Sequence, residues 1–463
     1  MCTKVRVTDK LNMYIKKNIN SNTYCFLCLT AFSGFVIFEF TGFDFLDRHN
    51  IQMSPFKSQI EDSSVKGVSR SNAFAVHASR FEISDWRTKE LQRLGDLVQR
   101  RLYYLQNPKD CENAKKILCK TRKAGFGSQA HDWMFCLIVA YATQRTLIID
   151  SKGWQYSKHG LERVFLPLST NCRLSKNEKV VRITDLRNMQ NTTKVVLLPY
   201  NHQVLNRPLY LPHSIPEDLA EQVSRVHKNP SVWWIGQCLT YITRKDKRLK
   251  RFIDQNVQKL GSSYPTVGVH VRRTDKEIES KYHDLSEYMT HVEKWFDAYN
   301  RRHGTVQRRV YIASDEPSVL SQARESYPNY TFVCNVESAI LAKRLDTRFS
   351  ESSFYGLILD LHMLSTSDFF VCTLSSNTGR LVYELMNVRY WDAPDRIKSL
   401  DIEFAFQFKR YNPMYFAQHR NETFYKKFKV VKDISNPWKL SATMDNNATA
   451  VRMPTYSEVP ILV

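Results

Sequence analysis

Residues 266–317 read "TVGVHVRRTDKEIESKYHDLSEYMTHVEKWFDAYNRRHGTVQRRVYIASDEP". Val267, Val269 and Val271 alternate with Gly268 and His270, the period-two pattern of a strand. "LSEYMTHVEKWFDAYNRR" reads as a helix, and "RRVYIAS" returns to a strand. Strand, helix and strand in that order predict two parallel strands joined by a crossover helix. In open parallel sheets, ligands bind beyond the carboxyl ends of the strands. Both of these ends are charged. Arg272 and Arg273 follow the first strand, and Asp315 and Glu316 follow the second.

The same rhythm extends in both directions. Downstream come a helix opening near Pro317, the strand "YTFVC", the helix "SSFYGLILDLHMLS", the strand "DFFVCTL" and the helix "TGRLVYELMN". Upstream, "SDWRTKELQRLGDLVQRRLYYL" is a helix capped by Ser84 or Asp85, with Leu91, Leu94, Leu97 and Val98 on one face. "HDWMFCLIVAYATQ" is a buried helix, "RTLIID" and "KVVLLP" are strands, and "EDLAEQVSRVHK" is a helix. Alternation throughout predicts parallel sheets covered on both faces, in two α/β domains split near Gly261–Pro265. The first is an open-sheet α/β domain over 85–262, and the second is a Rossmann-like nucleotide-binding domain over 263–408. Residues 409–463 are polar and irregular.

A chain of 463 residues, 43% hydrophobic and 24% charged, is globular and too long for one ordinary core. Its formal net charge of +21 suits a phosphorylated partner. Nucleic acid is not favoured, because the basic run "RKDKRLKR" (Arg244–Arg251) has no zinc-finger, RNP-like or basic-heptad companion and reads as a solvated helix face. Lys4, Arg6, Lys10, Lys16 and Lys17 precede an apolar run from Tyr24 to Phe43, about one membrane span long. The expected arrangement is a cytoplasmic tail over 1–23, a signal anchor over 24–43, a polar stem over 44–84 and a lumenal catalytic body. Sequons at Asn191, Asn329, Asn421 and Asn447 agree with a lumenal body. Ten cysteines permit disulfides there, and no paired Cys-x-x-Cys outside the span calls for structural zinc.

The chemistry concentrates at strand ends. Arg272 is the first residue past its strand, where a guanidinium fork can grip a phosphate in two places. An ion pair of Arg272 and Arg273 with Asp275 and Glu277 is the alternative. Ser375, Ser376 and Asn377 stand where a strand turns into a helix, an anion site if their hydroxyls and N–H groups are free, and an ordinary N-cap otherwise. Asp360 interrupts an apolar helix and needs N–H donors, which a guanine base supplies, or a protein partner. No Asp-x-Asp and no Walker-type glycine loop occurs, so the expectation is a nucleotide enzyme that uses protein cations instead of a metal cofactor.

Five segments carry a family resemblance: "DWRTKELQRLGDLVQRRLYYLQNPKDC", "RPLYLPHSIPEDLAEQVSRVHKNPSVWW", "VGVHVRRTDK", "YIASDEPS" and "GLILDLHMLSTSDFFVCTLSS". They resemble the α-1,6-fucosyltransferases that add fucose to the core of N-glycans, over about 85–408. The resemblance implies a two-lobed, GT-B-like fold and metal-independent use of GDP-fucose. It implies guanine contacts at His270 and Asp360, the diphosphate arginine at Arg272 with Arg273 beside it, and donor contacts at Tyr156, Ser376 and Asn377. Lys276 and Glu279 match the segment holding the family's base, and Asp315 matches a carboxylate of the same site. Because the loop is one residue shorter here, Glu277 competes with Glu279 for the role of base. The implied disulfides are Cys111–Cys172 and Cys119–Cys136.

The resemblance also implies a Golgi enzyme, single-pass with its catalytic body in the lumen, that acts on N-glycoprotein acceptors and forms a homodimer through a coiled coil. Only the last helix of that coiled coil is recognisable, and an SH3-like domain is reduced or absent in 409–463. The glycine loop "KAGFGSQAH" has Ala124 and Ser128 in a region where the family carries two cysteines, and the partner position of Cys372 is Gly379. A GDP-fucose enzyme with another acceptor and a catalytically silent nucleotide-sugar or glycan-binding homologue are the competing readings.

Overall fold

The computed structural model describes residues 70–404 other than 205–206, 209, 262–263, 274–280 and 345, with side chains from residue 85. Among them no helix is long and apolar enough to cross a membrane, and the 24–43 run lies outside them, as do Asn421 and Asn447.

Helix α1 (Arg70–Gln106) opens well before the expected cap at Ser84 or Asp85, so part of the supposed stem is helical. Its stripe of Leu91, Leu94, Val98, Leu102 and Leu105 is buried at the three- and four-residue spacing of one helix face. The sheet of the first half is wholly parallel and contains β1 (Lys116–Lys120), β2 (Thr146–Asp150), β3 (Val180–Arg182) and β4 (Val195–Leu197), in the order β2-β1-β4-β3. Helix α2 (Phe126–Ala142) follows β1 and is buried almost all round. Helices α3 (Glu217–Val226), α4 (Pro230–Ile242) and α5 (Lys247–Leu260) complete this half. Asp246 caps α5 by accepting from the N–H groups of Arg248 and Leu249, and only Leu249 and Ile253 of α5 are buried. The later part of the basic run, Lys247, Arg248, Lys250 and Arg251, is therefore the solvated face of a helix, while Arg244 and Lys245 precede it and are half-buried. Both expected disulfides, Cys111–Cys172 and Cys119–Cys136, are formed.

The second sheet contains β5 (Thr266–Val271), β6 (Arg309–Ser314), β7 (Thr331–Val333), β8 (Phe369–Cys372) and β9 (Ile397–Ser399), all parallel in the order β7-β6-β5-β8-β9. That is the third-second-first-fourth-fifth order of a doubly wound nucleotide-binding fold, and its direction reverses between β5 and β8. Helices α6 (Leu285–His303), α7 (Ser318–Ser326), α8 (Val336–Lys343), α9 (Glu351–Ser365) and α10 (Asn377–Arg389) are interspersed with these strands. Val267, Val269 and Val271 pack with Met289, Val292 and Phe296 of α6, and each apolar side chain so buried contributes about 1.5–3 kcal/mol relative to exposure. Gly268 and His270 face the opposite layer. A Cβ on Gly268 would meet Ser367 Oγ at 2.8 Å and Leu364 at 3.1 Å, so the missing side chain lets the end of α9 approach the sheet.

The sheets and helices fall on either side of the expected boundary near Gly261, but the packing crosses it. Helix α10 packs on α4 and α2 of the first half. At the α4 crossing, a Cβ on Gly236 would sit 2.4 Å from the Glu384 carbonyl oxygen. Phe354 of α9 lies edge-on to Phe126 of α2 (4.9 Å) and Trp154 (5.0 Å). The two sheets thus share one continuous buried contact region.

Candidate active site

The reversal of strand order brings the ends of β5, β6 and β8 together. Residues 272–273, 315–316 and 373–376 lie there by connectivity alone. Ser314 pairs in register with Val271, so Asp315 leaves β6 beside Arg272. The Asp315 carboxylate is buried, accepts from Arg272 Nη1, and takes the Arg273 backbone N–H at 3.0 Å. The two arginines then diverge. Arg273 is buried, spans Glu316 and Gln322 (both 3.3 Å) and lies over the Tyr282 ring. Arg272 keeps 21% of its side chain exposed. Their carboxylate partners at the end of β6 are Asp315 and Glu316; the alternative partners Asp275 and Glu277 lie outside the described residues. Of the two guanidinium groups, Arg272 is the more exposed.

His270 is buried, and its Nδ1 has no hydrogen-bond partner. Burial, with the Arg272 charge second, pushes its pKa down to about 3, so the ring is neutral. A neutral imidazole can donate at one nitrogen and accept at the other, and an orphaned buried nitrogen is a place for a ligand atom.

Asp360 does not wait for a ligand. The Tyr311 hydroxyl donates to Oδ1 (2.7 Å) and the Ser338 hydroxyl to Oδ2 (2.8 Å). Each carboxylate oxygen has a second lone pair, so capacity for two further donors remains. Burial raises its pKa to about 7 against the pull of those two hydroxyls.

At the end of β8 the expected anion site is partly occupied by the chain itself. Asp401 accepts from the N–H groups of Leu374 (2.9 Å) and Ser375 (3.3 Å) and from the Ser399 hydroxyl (2.9 Å). The Ser375 hydroxyl is buried without a partner, and Ser376 makes no side-chain cap bond to α10. What stays available is therefore the two hydroxyls and the first turn of α10. Asn377 is turned elsewhere. Its amide donates to Ser128 Oγ (2.8 Å) and accepts from Arg380, so its side chain ties the two halves together.

Tyr156 reaches the same region from the first half. It packs against Phe354 (5.0 Å) and Phe349 (5.5 Å), and its hydroxyl accepts from the Phe126 N–H that opens α2 (3.0 Å). Burial raises its pKa to about 12, and the charges of Arg348 and Arg272 oppose that rise. His270, Arg272, Arg273 and Asp315 thus lie at the paired ends of β5 and β6 and Ser376 at the end of neighbouring β8, where a reversal of strand order leaves a crevice, while Asp360 is held by Tyr311 of β6 and Ser338 of α8. Lys276, Glu277 and Glu279 lie outside the described residues. Sequence reasoning missed Asp401 and the bridging role of Asn377, because each acts through a contact distant in the chain.

A family model described as alpha-(1,6)-fucosyltransferase N- and catalytic domains matches residues 56–403. An alpha-(1,6)-fucosyltransferase of Drosophila melanogaster is 43% identical over 343 residues, 73% of this chain and 55% of that protein. One of Caenorhabditis elegans is 34% identical over 328 residues, 69% of this chain and 57% of that protein. The chain thus spans little more than half the length of these curated relatives. A solved structure of Arabidopsis thaliana FUT1 with GDP superposes at a TM-score of 0.41 with 10% identity, over 71% of this chain and 80% of that one. A match to the family model over 56–403, together with these relatives, places the chain in the alpha-(1,6)-fucosyltransferase family.

Proposed function

We propose that this chain transfers fucose from GDP-fucose to the 6-hydroxyl of the innermost N-acetylglucosamine of N-glycans, with inversion and without a metal. The observation that carries this reading is Arg272, ion-paired to buried Asp315 at the end of β5, two residues after neutral His270 with its unpartnered Nδ1. The acceptor hydroxyl attacks the anomeric carbon of β-linked GDP-fucose from the face opposite the diphosphate. A new C–O bond forms as the bond to GDP breaks, which gives an α linkage. Arg272 neutralises charge on the departing diphosphate, a role whose loss costs on the order of 10²–10³ in rate. His270 and Asp360 hold the guanine. Asp315 already accepts from both arginines, which makes it a positioning group for Arg272. A second carboxylate takes the acceptor proton, and Glu279, beside Lys276, is assigned that role by sequence.

The N-terminal run supports a signal anchor that places the catalytic body in the Golgi lumen, where N-glycoproteins pass. Assay of the full chain with GDP-fucose and an agalacto biantennary N-glycan tests the reading. Turnover should persist in EDTA, and Glu279→Gln should be far more damaging than Glu277→Gln. Activity abolished by EDTA would sink the metal-free mechanism, and the reverse order of the two variants would reassign the base.

A further inference from the structure

Two helices start at the crevice from opposite halves of the chain, and their first turns abut. A Cβ on Gly127 of α2 would sit 2.6 Å from the Asn377 Cβ of α10. Polar side chains close this junction at two levels. At the upper one, Arg380 donates to Asn377 Oδ1, and Asn377 Nδ2 donates to Ser128 Oγ at 2.8 Å. At the lower one, His131 Nε2 meets Glu384 Oε1 at 2.9 Å, and Nδ1 meets the Gly127 carbonyl oxygen at 2.7 Å. A carbonyl oxygen only accepts, so Nδ1 carries a hydrogen. Nε2 is thereby aimed at Glu384 across the junction. His131, Arg380 and Glu384 are all buried, Glu384 completely.

We infer that Ser128, Asn377, Arg380, His131 and Glu384 form a positioning latch that sets the width of the donor crevice. It links the Phe126–Tyr156 wall to the Ser375–Ser376 wall, and neither wall touches the other through a covalent cross-link. Ser128 lies in the loop, and Gly379 at the position, where the family resemblance calls for cysteines. A Cβ on Gly379 would meet Cys372 Sγ at 3.4 Å. The disulfides that the resemblance implies there are each local to one half, so the hydrogen-bonded junction is a separate tie between the halves. Asn377 acts through Ser128, so its contribution to donor binding is indirect.

The inference rests on the donor-site reading, and its test separates the two. GDP is titrated calorimetrically into the full chain, Ser128→Ala, Asn377→Ala, the double variant and Ser128→Thr, which keeps the hydroxyl. Each alanine variant should weaken GDP by about 3- to 10-fold, as for one lost hydrogen bond. The double variant should be no worse than either single, and Ser128→Thr should bind like the wild type. Wild-type affinity in Ser128→Ala, or losses that multiply in the double variant, would overturn the latch and leave the donor site standing. A wild-type chain that binds no GDP would overturn the donor reading itself. Amide exchange without nucleotide then judges the junction: Ser128→Ala should speed exchange in the first turns of both α2 and α10, and unchanged exchange in α10 contradicts the latch.

Discussion

Asp315 holds Arg272 by its guanidinium and Arg273 by its backbone N–H, so one buried carboxylate at the end of β6 fixes the direction in which the chain leaves β5. Arg272→Ala should cut turnover on the order of 10³-fold, because a preorganised charge at the leaving group is removed, while the protein stays folded. Asp315→Asn keeps the shape and loses the charge. It should lower kcat by a smaller factor, since Arg272 remains but is less firmly aimed. Steady-state kinetics beside circular dichroism check both. Arg272→Ala with most of its turnover would remove the diphosphate role.

His270 gives a pH signature. Its folded pKa of about 3 lies below the ordinary value of 6.5. Between those values the unfolded chain binds a proton that the folded chain does not, so stability falls as pH drops from about 6.5 toward 3. His227, pushed down to about 4 by burial, adds a slope of the same sign. Denaturant titration at pH 7 and pH 5 should show the wild type less stable at pH 5, and His270→Gln should lose less between the two. An equal loss in both proteins would mean that His270 is not desolvated.

How much of this was legible beforehand follows from the kind of signal each element carries. The segments β5, α6, β6, α9 and β8 stand out because apolar runs of strand or helix length are bounded by polar and charged residues, and β5 is buried along its whole length. Strand β3 was missed because Val180–Arg182 is exposed along its whole length, and three residues set no period. Helix α4 escaped because "PSVWWIGQCLTYI" is buried nearly all round and so shows no polar stripe. The start of α1 was placed too late, since Ser84 and Asp85 look like a cap but lie within the helix. At the site, a strand-end arginine is visible in sequence. That Asp315 orients it, that Asp401 fills part of the β8 turn and that Asn377 faces Ser128 depend on pairings across 43, 26 and 249 positions.

Asp360 should report guanine recognition. With a pKa near 7, it is increasingly ionised above neutrality, and the carboxylate accepts guanine N–H groups better than the acid does. GDP affinity of the wild type should therefore rise between pH 6 and pH 8 more than that of Asp360→Asn, the titration of the diphosphate being common to both. At pH 8 the variant should bind GDP about 10- to 100-fold more weakly, the worth of hydrogen bonds to a charged group. Parallel pH curves would place the base elsewhere.

The central claim is that the crevice between β5 and β8 delivers fucose from GDP-fucose to the core of an N-glycan. Tandem mass spectrometry of products from the full chain, GDP-fucose and a panel of N-glycan and non-N-glycan acceptors tests it most directly. The account predicts one added deoxyhexose, on the innermost N-acetylglucosamine and 6-linked, formed on the order of 10³-fold more slowly by Arg272→Ala. Fucose on an antenna or on a different acceptor class, or nucleotide binding with no product from any acceptor, would contradict it.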